Sequence, residues 1–216
     1  MFNLDPATLI ARLFVLVIAF TVHEFAHAIT ATYFGDDTPR LNGRLTLNPI
    51  SHLDPMGSLL LLVAGFGWAK PVPVNPYALG RRSSAALMWV SLAGPLSNLL
   101  MAVVGAIPFR LGLVSSFALF TRSSSIFPSF SRFLVEFISI NLILMLFNLI
   151  PIAPLDGEKI AEYFFPPSWS HALDSIRPYG PAILVAVVLV GPFVGLDVIG
   201  WIMGPPLRAL FGLLVG

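Results

Sequence analysis

Long apolar runs alternate along the chain with shorter segments that hold most of its polar residues. Four runs approach the ~20 residues needed to cross a bilayer: roughly residues 8–34, 85–109, 133–150 and 181–203. A fifth, 56–68, is short, interrupted by glycine and followed by Lys70-Pro71-Val72-Pro73, which predicts a re-entrant or interfacial segment. The fourth run is broken by Gly191-Pro192 and Gly195, and Pro205-Pro206 separates it from an apolar tail at 207–215. In the longest polar connection, 35–84, Arg44-Leu45-Thr46-Leu47-Asn48 alternates as a strand does, and Val72-Pro73-Val74 suits an edge strand. Residues 113–131, with serines among aromatics, predict a loop with an interfacial helix at most. The expected fold class is an α-helical polytopic membrane protein: four or more transmembrane helices with a small β element at the membrane surface.

Composition agrees. Of 216 residues 56% are hydrophobic and 11% charged, and the mean hydropathy is +0.87, values of a membrane protein rather than a soluble domain. A formal charge of +1 without a basic cluster speaks against a nucleic-acid partner. The absence of cysteine excludes disulfides, thiol catalysis and cysteine metal sites, so any metal must be held by histidine and carboxylate. Met1-Phe2-Asn3-Leu4-Asp5 lacks the basic start of a signal peptide, so the first run is expected to be retained.

That first run contains His23-Glu24-Phe25-Ala26-His27. Two histidines four residues apart share a helix face and can point at one metal, while the intervening glutamate can reach a water instead; this is the zinc-protease arrangement H-E-x-x-H. Ionisable groups inside a membrane-length apolar segment are costly, and the default reading is functional. If the four spans alternate, the connections 35–84 and 151–179 share one side. They carry Arg40, Arg44, Lys70, Arg81, Arg82, Lys159 and Arg177, against Arg110, Arg122, Arg132 and Arg208 opposite, so this side is expected to be cytoplasmic. His27 lies seven residues before the end of its run, ~10 Å below that surface. A third ligand should come from the same side. Asp156, in a Pro- and Gly-bounded turn just after the third run, meets that condition; two histidines and a carboxylate are a common catalytic zinc set. His52, Asp54, Glu158 and His171 compete with it, and Asp156-Gly157 is also ordinary turn chemistry.

These residues resemble the site-2 protease family of intramembrane zinc metalloproteases. The resemblance is carried by His23-Glu24-Phe25-Ala26-His27 and by Asn148…Pro151…Pro154-Leu155-Asp156-Gly157. Gly35-Asp36, Gly43-Arg44-Leu45-Thr46-Leu47-Asn48-Pro49, His52-Leu53-Asp54-Pro55-Met56-Gly57, Gly67-Trp68-Ala69-Lys70-Pro71-Val72 and Ala93-Gly94-Pro95-Leu96-Ser97-Asn98 are similar to family stretches too. Ala153 stands where many members have the first of two prolines before Leu-Asp-Gly. The resemblance implies that His23, His27 and Asp156 hold one zinc ion per chain, with Glu24 as catalytic acid/base. It also implies a minimal membrane core without PDZ or CBS domains, and substrates that are transmembrane proteins: membrane-tethered regulators such as anti-sigma factors or transcription-factor precursors, or remnant signal peptides.

The expectation is a single intramembrane metalloprotease domain over 1–216, with core motifs in 22–157 and additional helices in 158–216. It would be a multi-pass protein of the cell membrane, cutting peptide bonds in or near transmembrane segments, with its site nearer the cytoplasmic face. The alternative is a metal-ion or solute transporter using the His/Asp set as a transit site. Two further amides stand out. Asn98, with Gly94 and Ala102 on its face, suits either a helix–helix hydrogen bond or a contact to the substrate backbone or oxyanion. Asn148 suits helix termination or substrate contact. Arg12 is expected to snorkel, and Glu136 and Asp197 have no assigned partners.

Overall fold

The computed structural model describes residues 5–57, 68–114 and 126–216. Its helices are α1 (Pro6–Tyr33), α2 (Thr38–Leu41), α3 (Pro76–Arg82), α4 (Ala86–Arg110), α5 (Phe130–Asn148), α6 (Asp156–Phe164), α7 (Pro167–Ile176), α8 (Gly180–Val185) and α9 (Val198–Val215). By length and composition α1, α4, α5 and α9 can each cross a membrane. The chain is a multi-pass membrane protein.

Helix α1 starts where Asp5 accepts the Thr8 N–H at 3.0 Å and Pro6 presets the first turn. It ends at Gly35, whose φ of +85° turns the chain back, with the Asp36 N–H returning to the Ala31 carbonyl. Buried Asp36 then accepts the backbone N–H groups of Thr38 and Asn75, fastening the end of α1 to the start of α3.

Small residues spaced by four decide how the spans meet. On α1 the buried line is Ala7, Ala11, Val15, Ala19, His23, His27 and Ala31; on α4 it is Ala86, Val90, Gly94, Asn98, Ala102 and Ala106. Such ridges let helix backbones approach closely where hydrocarbon chains offer no hydrophobic drive for association. Helix α5 adds Leu134, Ile138, Asn141, Leu142 and Met145. One apolar cluster joins Ala102, Ala106 and Phe109 to Leu134, Ile138, Leu142 and Met145, with Leu207, Leu210, Phe211 and Leu214 of α9 packed on it. A second joins Ala31, Leu79, Ala86 and Val90. Along α4, the Gly94–Asn98 turn lies between the two, and there the buried polar residues gather.

The fourth span differs from the expectation. The stretch 181–203 is not one helix: α8 passes into a wide π turn at Ala186–Val190 and a 3-10 turn at Gly191–Val194, and the chain reverses at Gly195. The span is α9, displaced toward the C-terminus, and Pro205-Pro206 lies within it. Prolines are tolerated inside membrane helices when neighbours satisfy the freed carbonyls. Asp197 does have a partner: it caps α9 by accepting the Gly200 N–H. At the other end Arg110 of α4 donates to the carbonyls of Leu213 and Leu214, so both helices finish at the same level.

The expected β element is also absent. Among the described residues there is no sheet, only an isolated bridge between Leu53 and Ala69. Pro71 and Pro73 have no N–H to donate, and side chains take the groups a ladder would use. His52 Nε2 donates to the Thr46 carbonyl, Arg44 to those of Ser51 and Lys70, and the Val72 N–H goes to Glu24. Most of the re-entrant segment expected at 56–68, and much of the loop at 113–131, lie outside the described residues.

Candidate metal centre

His23 and His27 continue the small-residue line of α1, so close helix packing buries them to 5% and 7% exposure. Their Nε2 atoms are 3.0 Å apart. Asp156 arrives from the opposite direction, as the first residue of α6. The turn between α5 and α6 is tight enough that a Cβ on Gly157 would lie 2.4 Å from the carbonyl oxygens of both Leu149 and Ile150, so only glycine fits there. This places Asp156 Oδ2 3.1 Å from His23 Nε2 and 3.3 Å from His27 Nε2. Gly94 forms the wall. A Cβ there would lie 2.4 Å from His27 Nε2 and 2.5 Å from His23 Nε2.

The other imidazole nitrogens decide what the triangle can hold. His27 Nδ1 is 2.7 Å from the Val90 carbonyl, which can only accept, so Nδ1 carries the proton and Nε2 a lone pair. His23 Nδ1 is 2.6 Å from Asn98 Oδ1, with the same consequence. Two lone pairs and a carboxylate oxygen therefore converge within 3.0–3.3 Å. Three acceptors at that distance repel one another unless a cation lies between them. Tetrahedral zinc with bonds of about 2.0–2.1 Å has ligand–ligand edges of about 3.3–3.4 Å, and among the described residues His23, His27 and Asp156 are the group able to hold an ion. The residues fit the metal.

Glu24, buried beside the triangle but outside it, accepts the Val72 N–H on Oε2 at 3.0 Å. The structure thus brings His23, His27, Glu24 and Asp156 into one locality. It does not offer Asn98 to a substrate: that amide is wholly buried, accepting from His23 and donating to Asn141. Asn148, half-buried at the end of α5, donates to the Leu144 carbonyl. Of the competing ligands, His52 is wholly buried and holds the Thr46 carbonyl. Asp54 accepts the Gly57 N–H, Glu158 is ion-paired with Arg177, and His171 is exposed on α7.

Sequence reasoning missed Asn141, although an amide in an apolar span was a signal of the kind that singled out Asn98. It noted Gly94 as a small residue and as part of a family-like stretch, not as a wall against the histidines. The Val90 carbonyl and the Val72 N–H are backbone groups, which leave no signal in side-chain identity. Glu136 does have a partner, Arg12, whose Nε donates at 2.9 Å.

Residues 111–190 match the model of "Peptidase family M50". Over 181 residues the chain is 45% identical to YwhC of Bacillus subtilis, a "Putative zinc metalloprotease", covering 82% of this chain and 78% of that one. It is 35% identical over 190 residues to Rip2 of Mycolicibacterium smegmatis, covering 83% and 68%. Against Rip2 of Mycobacterium tuberculosis it is 32% identical over 202 residues, covering 90% and 72%. Both Rip2 proteins carry the same description as YwhC. No solved structure matches the chain.

Proposed function

The chain belongs to the zinc metalloproteases of peptidase family M50, and on that footing we propose that it is an intramembrane endopeptidase that cuts transmembrane proteins in or near their membrane segments. The observation that carries the reading is the triangle of His23 Nε2, His27 Nε2 and Asp156 Oδ2, 3.0–3.3 Å on a side, with both Nδ1 protons committed elsewhere.

His23, His27 and Asp156 would hold one zinc ion per chain. When bound, zinc supplies Lewis acidity that brings a water toward pKa ~7 and polarises the scissile carbonyl. Glu24 is the acid/base: it takes the proton of the attacking water and returns it to the departing amine. The Val72 N–H holds Oε2 of Glu24, orienting the carboxylate while leaving Oε1 for the proton. His27 is six residues from the last residue of α1, about 9 Å from its end at 1.5 Å per residue. Water therefore needs to penetrate only a short way, and a substrate helix must unwind there to expose its amides. Asn148, at the mouth of the α5–α6 turn, is the candidate to hold that unwound backbone. The excess of Lys and Arg in 35–84 and 151–179 supports a site nearer the cytoplasmic face.

The test compares wild type with Glu24→Gln, using co-expressed single-span membrane proteins as substrates and elemental analysis for zinc. Cleavage should fall by roughly 10²–10⁴-fold while zinc remains bound. Cleavage that persists in Glu24→Gln overturns the assignment. A transporter, which has no use for an acid/base, would keep its transport in that variant.

A further inference from the structure

A line of hydrogen bonds runs from the metal centre across three spans. His23 Nδ1 of α1 meets Asn98 Oδ1 of α4 at 2.6 Å, Asn98 Nδ2 meets Asn141 Oδ1 of α5 at 2.9 Å, and Asn141 Nδ2 meets the Phe137 carbonyl at 2.8 Å. Both asparagines are wholly buried. The line has only one consistent direction, and it is set at the end farthest from the metal. A backbone carbonyl can only accept, so Asn141 must turn its NH2 toward Phe137 and its oxygen toward Asn98. Asn98 must then present its NH2 to Asn141 and its oxygen to His23, and His23 must carry its proton on Nδ1. Resting on the zinc reading above, the structure assigns Asn98 and Asn141 as positioning residues, an amide relay that holds His23 in the tautomer whose Nε2 lone pair faces the metal.

The need for a relay follows from the contrast with His27. That imidazole reaches the Val90 carbonyl directly, and a carbonyl cannot be misoriented. His23 has a side-chain amide instead, and an amide offers a donor as readily as an acceptor. Were Asn98 turned over, its NH2 would draw the lone pair of Nδ1, leaving the proton on Nε2 among the ligands. Asn141 removes that alternative, because turning Asn98 over would set two wholly buried oxygens against each other. Groups that fix a ligating histidine from behind typically change metal affinity by 10–100-fold when removed.

The experiment measures the zinc Kd of the purified full chain in detergent micelles, by competition with a chelator of known affinity, with helicity followed by circular dichroism. Asn98→Leu keeps the volume and removes the acceptor; zinc should bind roughly 10–100-fold more weakly. Asn98→Asp keeps an acceptor for His23 that cannot be misoriented, while its second oxygen faces Asn141 Oδ1 in place of an NH2, so affinity should fall less than in Asn98→Leu. Asn141→Leu frees Asn98 to turn over and should cost roughly tenfold or less. If Asn98 merely packed, the order would invert: leucine would be harmless and the buried charge of aspartate worst, and that result overturns the relay. Should Asn98→Leu lose helicity, an unchanged Kd in Asn141→Leu overturns it as well. A wild-type protein without stoichiometric zinc sinks the metal reading and the relay with it. Stoichiometric zinc with the wrong order of variants sinks the relay alone.

Discussion

At the N-terminal ends of α1 and α5, charge is cancelled pair by pair. Arg12 meets Glu136 at 2.9 Å and Arg132 meets Asp5 at 3.1 Å, each pair joining the two helices. Near their C-terminal ends the ionisable groups converge without such cancellation: two imidazole lone pairs and a carboxylate oxygen face one another. Arg12, Glu136 and both histidines lie within membrane-length helices, where an unmatched charge is costly, so the difference is informative. A cation and an anion brought together satisfy each other and need nothing more; they fasten helices. Three acceptors brought together are stable only around something positive. The first arrangement fastens helices and the second could hold a metal ion, although composition alone would class both as charged residues in an apolar span.

The sharpest way to break this contrast is Asp156→Ala. It should bring bound zinc and substrate cleavage to background while α1, α4 and α5 stay assembled, as elemental analysis and circular dichroism would report. Gly94→Ala comes next. The new methyl would press on both Nε2 atoms, which can move aside only by rotating out of the triangle. A displacement of that kind should lower the cleavage rate by roughly 10²-fold. A Gly94→Ala protein that cleaves normally would show that the wall is not where the structure puts it.

At the other end, Glu136→Gln should act on stability alone. Leaving Arg12 without its carboxylate should cost roughly 1–2 kcal/mol, read as an earlier thermal midpoint in micelles, with zinc content unchanged. Arg12→Met combined with Glu136→Met should recover most of that loss, because it leaves no charge unpaired. If Glu136→Gln removed zinc, the separation between fastening and function would collapse. The smallest effect belongs to Val72→Pro, which deletes the N–H that holds Glu24. Cleavage should slow roughly fivefold, about one hydrogen bond's ~1 kcal/mol, at constant zinc.

Much of this was legible in the sequence. The first three spans lie within a few residues of their apolar runs, because a run long enough to cross a bilayer has few alternatives. His23, His27 and Glu24 were legible because 3.6 residues per turn puts positions four apart on one face. The fourth span was misplaced because 181–203 and 198–215 are both apolar. What separates them is that α9 has an α5 surface to pack on, through Leu207, Leu210 and Phe211. The β element was expected from alternation at Arg44–Asn48, but alternation does not supply a partner strand. Arg44, His52 and Glu24 took the backbone groups first.

By itself the sequence determined the membrane class, the pair of histidines on one helix face and, through the absence of cysteine, that any metal would have to be held by histidine and carboxylate. These are local properties, set by composition and by the geometry of a single helix. Tertiary structure decided which carboxylate meets the histidines: Asp54 and Glu158 are drawn into a turn and an ion pair, and Asp156 alone of the three reaches both. It also decided which nitrogen of each imidazole faces inward, through a carbonyl of Val90 and the amide of Asn98. Those outcomes depend on how three ridges of small residues settle against one another, and that packing joins residues far apart in the chain.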